Sequence, residues 1–180
     1  MKIKNLVYFG LASILLWSCS SQSDNGKDKI AGDVSVQQES GLVSLRLASA
    51  SYYQDVTDPS NNTAEWNVFI SKPGGYKVWL SSATTDTVNL GYLNSVKVDL
   101  PDNLFEVVPA CDKIMKDPDD VSYPSYRADS YAGSVYFNEP GEYKIQVISD
   151  KVMPKESVNQ KKSMAERSKL MAVILSPTTR

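Results

Sequence analysis

The sequence predicts an all-β fold, an antiparallel two-sheet β-sandwich of jelly-roll or Ig-like kind behind a disordered tether, and three observations predict it. From Leu42 onward short β-rich runs alternate with turn signals: VSLRLA, AEWNVFIS, YKVWLS, VKVDL, SVYFN, YKIQVIS and LMAVILS. Strands at that spacing belong to sandwiches and barrels. Helical periodicity is nearly absent, since the one candidate, Glu156 to Ser168, offers Val158, Met164 and Ala165 in no continuous stripe and reads as a loop with a turn or two of helix. The third observation is an internal echo: Ile70-Ser-Lys-Pro-Gly-Gly-Tyr-Lys-Val-Trp-Leu80 aligns without gaps on Phe137-Asn-Glu-Pro-Gly-Glu-Tyr-Lys-Ile-Gln-Val147.

Residues 1–18 come first. Lys2 and Lys4 precede an apolar run from Leu6 to Trp17, and small Ser18 and Cys19 give way to the polar SSQSDNGKDK. That is the anatomy of a secretory leader, and about a dozen apolar residues fall short of the roughly 20 that span a bilayer. Leu16-Trp17-Ser18-Cys19 resembles the bacterial lipobox, which implies a chain anchored to a membrane by acyl chains, palmitate among them, on Cys19. Ser20, by resemblance to the usual sorting pattern, implies the outer membrane, on its periplasmic or its extracellular face. Residues 19–40 are Ser, Gln, Asp, Asn, Gly and Lys with few apolar side chains and read as a flexible tether. The sandwich is expected over 41–180, a length that buries roughly two-thirds of its surface as one domain.

Charge and composition exclude several functions. Removing residues 1–18 takes away two lysines and no acid, so the formal charge moves from −2 to −4. This argues against nucleic acid, which demands clustered basic surface; the lysines between 151 and 169 are interrupted by Glu156 and Glu166. Histidine is absent altogether, which removes the commonest general base and metal ligand. Phosphate loops and the GxSxG and HExxH motifs are absent too. A non-catalytic chain without cofactor or metal is expected. Cys111 is the one cysteine beyond Cys19, so no disulfide forms within the domain, and it reads as a small packed residue.

Each copy of the echo reads as a Pro-Gly hairpin. Residues paired across a hairpin point the same way, which selects an odd loop pairing Ile70 with Val78 and Val68 with Leu80, and, in the second copy, Phe137 with Ile145 and Val135 with Val147. These faces form the expected core. The reverse faces then carry Phe69 beside Trp79, an exposed platform or a covered cross-strand pair, and Tyr136 beside Gln146.

Trp66 to Leu80, Val135 to Val147 and Leu170 to Pro177 resemble the jelly-roll carbohydrate-binding-module-like domains appended to bacterial glycoside hydrolases and sulfatases. The chain departs from that pattern in carrying no Trp just before Val135 and no acidic calcium motif at its first strand. The resemblance implies capture of a glycan without its cleavage. The alternative is a structural or adhesive surface protein that binds another envelope protein through its sandwich.

Between the copies, Pro101 to Ala132 reads as the longest irregular stretch, and a loop of that length in a compact fold tends to be functional. It holds Tyr123, Tyr126, Arg127 and Tyr131 among Asp119, Asp120 and Asp129. Aromatic faces stack on sugar rings while Arg and Asp fix hydroxyls, so these four, with Trp79 and Phe69, are the candidate ligand residues; the other reading is a self-packed loop covering one end of the sandwich. Asp112, Asp117, Asp119 and Asp120 lack the spacing of a calcium loop and read as a solvated acidic turn. Asp86-Thr87-Val88 resembles an O-glycosylation acceptor of some Gram-negative anaerobes.

Overall fold

The computed structural model describes residues 34–116, 118–122, 124–152 and 168–178; Cys19, Tyr123 and residues 156–167 of the helical candidate lie outside them. Among the described residues the chain is built of strands, with short 3-10 turns at Leu47–Ser49 and Pro59–Asn61. One sheet takes β1 (Ser35–Val36), β3 (Ser51–Tyr53), β4 (Thr63–Ile70), β6 (Val96–Leu100), β7 (Asn103–Val107) and β10 (Gly141–Ile148). The other takes β2 (Val43–Arg46), β5 (Gly74–Thr84), β8 (Lys113–Met115), β9 (Tyr126–Phe137) and β11 (Ser168–Pro177). The first sheet, here sheet A, runs β1-β4-β10-β6-β7, with β3 also beside β4; the second, sheet B, runs β2-β11-β5-β9-β8. All pairings are antiparallel except β1 on β4.

The apolar alternation of each long strand builds the interior. Ala64, Trp66, Val68 and Ile70 of β4, Val96 and Val98 of β6, and Ile145 and Val147 of β10 face Tyr76, Val78 and Leu80 of β5, Val135 and Phe137 of β9, and Leu170, Val173 and Leu175 of β11; all are buried. Tyr76 and Tyr143 close one end against Phe137, with ring centroids 5.6 and 4.7 Å from it.

The two Pro-Gly segments are not hairpins. β4 lies in sheet A and β5 in sheet B, and likewise β10 in A and β9 in B, so each segment is an arch carrying the chain from one sheet to the other. Val78 and Ile145 are fully buried as expected, because inward rows from two sheets satisfy the same face argument as two paired arms. The partners are exchanged between copies: Ile70 pairs with Gly141, Val68 with Tyr143 and Trp66 with Ile145 in sheet A, while Gly74 pairs with Phe137 and Tyr76 with Val135 in sheet B. Ile70 is the echo of Phe137 and Gly74 that of Gly141, so the repeat is a local pseudo-twofold in which the two arches grip each other. Phe69 and Trp79 consequently stand on opposite faces of the molecule, as do Gln146 and Tyr136.

The first arch is closed from outside the echo. Gln37, 7% exposed, accepts at Oε1 from Ser71 N (3.0 Å), Ser71 Oγ (3.0 Å) and Lys72 N (2.8 Å), and donates from Nε2 to Gly41 O (2.7 Å) and Tyr76 Oη (2.6 Å). Of the tether expected over 19–40, residues 19–33 lie outside the described residues, while β1 and Gln37 belong to the sandwich, concealed by polar composition. The excursion from Pro101 to Ala132 is also more ordered than expected. It contains β7, β8 and the start of β9, and Pro101-Asp102 turns β6 into β7 with Asp102 at φ 60°.

Candidate functional site

β5 sends Tyr76, Val78, Leu80 and Ser82 inward and Lys77, Trp79, Ser81 and Ala83 outward, and the pairing register extends that outward face across sheet B. Trp79 lies between Tyr131 of β9 and Ile174 of β11; Ser81 lies between Asp129 and Ala172, with Lys113 of β8 beyond Asp129 and Arg46 of β2 beyond Ala172; Ala83 lies between Arg127 and Lys169. A bulge between Val78 and Trp79 places Ala132 as the extra residue of β9. Strict alternation would have turned Tyr131 inward after Val135 and Gly133, so the bulge re-aims it to the outer face.

Trp79 is half-buried and meets Tyr131, 44% exposed, edge to face with centroids 5.3 Å apart and planes at 64°. Both rings are held: Trp79 Nε1 donates to Ser176 Oγ (3.1 Å), Tyr131 N donates to Asp112 Oδ2 (2.7 Å), and Tyr131 Oη lies 2.8 Å from Ser134 Oγ. One row away, Arg127 grips the buried Asp129 with Nε on Oδ1 (2.8 Å) and Nη2 on Oδ2 (2.9 Å), while Nη1 reaches Asp120 Oδ2 (3.3 Å). The bonds to Asp129 hold the guanidinium above its ordinary range against the opposing effect of burial, so it stays charged. Between the aromatic pair and this fork stands Ser81, fully buried, whose Oγ has no hydrogen-bond partner among the described residues. A buried hydroxyl without a partner costs free energy, and this one lies in the row between Trp79 and Ala83 on the outward side of β5.

Of the candidate ligand residues, Trp79, Arg127 and Tyr131 converge on this face. Tyr126 does not: it is paired with Thr84, whose hydroxyl meets Ser168 in the inward row, so it belongs to the other side of β9. Phe69 stands on sheet A, 38% exposed and paired with Val36, and Tyr123 lies outside the described residues. Ser81 and Asp129 were legible only in part, since the spacing Trp79-Leu-Ser81 puts the serine on the tryptophan's face but nothing local pairs it with Asp129. Tyr136, 60% exposed, continues the face toward the first arch, where Lys72, Pro73, Gly75, Pro177 and Thr178 line a cleft of about 400 Å³ with it. Cys111 is half-buried, and burial, then Asp86 and Asp112, push its thiol up, which leaves it a poor nucleophile at neutral pH.

No family model and no curated protein sequence matches the chain. Among solved structures it is similar to the Podospora anserina GH26-CBM35 beta-(1,4)-mannanase, at a TM-score of 0.45 and 13% identity over 78% of this chain and 28% of that one. It is also similar, in fold, to the crystal structure of alpha-L-fucosidase from Vibrio sp. strain EJY3, at a TM-score of 0.62 and 21% identity over 80% of this chain, which spans 24% of the fucosidase's length.

Proposed function

We propose that the chain is a non-catalytic glycan-binding module of the bacterial envelope, with its site on the outer face of sheet B. The carrying observation is the convergence of the Trp79–Tyr131 pair and the Arg127–Asp129 fork on one sheet face. A sugar ring laid on the aromatics would bring its hydroxyls toward the Arg127–Asp129 fork. The likeness in fold to part of a fucosidase supports this reading, as does the resemblance of the Pro-Gly arches to jelly-roll modules. The test is a glycan array probed with the chain carrying Cys19→Ser to keep it soluble. Saturable binding that weakens about tenfold or more in Trp79→Ala and Tyr131→Ala, with melting transitions retained, is expected; silence across plant, host and microbial glycans overturns the reading.

The rival, a surface protein that binds another protein, draws on one observation: Val34, Val36 and Phe69 are exposed at the β1 edge of sheet A. Co-purification lost in Phe69→Ser and kept in Trp79→Ala would favour it. For location we propose acylation of Cys19 and residence at the outer membrane. Labelling cells with an alkyne analogue of palmitate should mark the chain and fail on Cys19→Ala; a labelled Cys19→Ala chain overturns the anchor.

A further inference from the structure

Resting on the glycan reading of the same face, we infer that its ligand is an acidic polysaccharide, one bearing carboxylate or sulfate groups. The chain as a whole is acidic, with a formal charge of −2, yet the charge is divided between its two sheets. The strands of sheet B carry five cations, Arg46, Lys77, Lys113, Arg127 and Lys169, and a single acid, Asp129. The register places all six on the outward face. The strands of sheet A reverse the balance, with Glu65, Asp99, Glu106 and Glu142 against Lys97 and Lys144.

The acids near the site do not neutralise its cations. Asp129 and Asp120 are both taken by Arg127, and Asp112, exposed next to Lys113, accepts from Tyr131 N and forms no ion pair with a described residue. Arg46, Lys77, Lys113 and Lys169 are exposed and form no ion pair with a described residue. They flank the aromatic pair along the strands: Lys77 stands about 7 Å from Trp79 on one side along β5, and the row of Lys113, Asp129, Ser81, Ala172 and Arg46 lies on the other. A neutral glycan would leave four solvated cations beside it unused. An anionic polymer lying across the aromatics meets one at either end, and the potential also steers it to the face. Long lysine side chains on an open sheet fit repeating charges along a polymer, whereas the charge of the guanidinium is already paired with Asp129 and Asp120.

The experiment titrates the chain carrying Cys19→Ser with polygalacturonate and its fully methyl-esterified form, with dextran sulfate and dextran, and with polyacrylate as a polyanion that is not a sugar. Binding to a charged glycan about tenfold or more tighter than to its uncharged counterpart, weakening as salt rises from about 0.05 to 0.5 M, is expected. Lys77→Gln with Lys113→Gln should lower that affinity, Lys97→Gln on sheet A should leave it unchanged, and Trp79→Ala should remove it. The polygalacturonate and dextran sulfate arms tell a carboxylate reader from a sulfate reader, and either supports the inference. Equal affinity for charged and uncharged glycans overturns it and leaves the glycan reading standing. Polyacrylate binding as tightly as the charged glycans, indifferent to Trp79→Ala, overturns both, as does the absence of binding to any glycan.

Discussion

Gln37 carries more of the fold than its place in a polar stretch suggests. Its amide holds two main-chain N–H groups of the first arch, a serine hydroxyl, a tyrosine hydroxyl and a carbonyl. Gln37→Ala strips several buried groups of their partners at once, at about 1–3 kcal/mol for each left unsatisfied, and a clear fall in Tm is expected by calorimetry. Gly133 makes the opposite demand, for space: a Cβ there would stand 2.5 Å from Phe105 Cε1 and 2.6 Å from its Cδ1. Gly133→Ala should cost about 1–3 kcal/mol through overpacking, and Gly133→Ala with Phe105→Leu should recover part of it. At Glu65, burial pushes the carboxyl up, but hydrogen bonds from Gln146 and Lys144, the charge of Lys144 and Tyr53 outweigh it, so it sits below its ordinary value. That stabilisation is complete above the unfolded carboxyl's pKa and is lost as pH falls through the folded one. Glu65→Gln should flatten the acid limb of Tm against pH, by under about 1 kcal/mol because the exposed Lys144 is screened. Trp79, Arg127 and Tyr131 were legible as residue types suited to a sugar, whereas Gln37 was not, because its value lies wholly in partners distant along the chain.

At the scale of elements, alternation made β4, β5, β6, β10, β11 and the last part of β9 readable, since each is long enough for its inward row to show, whereas the bulge at Ala132 breaks the period in the first part of β9. β1, β3 and β8 have two or three residues each, too few for a period to register. The arches illustrate a different limit. A hairpin and an arch turn the same side chains inward, so hydrophobic pattern fixes which residues are buried without fixing which strands bond. The two Pro-Gly turns also differ despite their echo. Gly74 sits at φ +142°, a region L side chains rarely adopt, with open space around it, whereas a Cβ on Gly141 meets only Tyr143 Cε2 at 3.8 Å. Gly74→Ala should therefore destabilise by about 1 kcal/mol or more and Gly141→Ala by no more than about 0.5, a contrast that chemical denaturation of the two variants would measure.

For the whole molecule, the sorting of charge onto opposite faces could not be read from composition, which reports only a mildly acidic chain; it needed the sheet assignment of every strand. The boundary at residue 41 erred for a related reason, and deletion of residues 34–40 should lower the melting transition, because β1 and the Gln37 clamp go with them. The mutual grip of the arches also governs how the molecule assembles itself. Ile70 waits for Gly141 and Gly74 for Phe137, so although β3 lies beside β4 nearby in sequence, a long stretch of chain must be closed into a loop before the first bond between the arches repays the lost entropy. Refolding in stopped flow should therefore occupy about milliseconds to seconds, the slow range of small domains, and a nascent chain must remain open until its second half has followed.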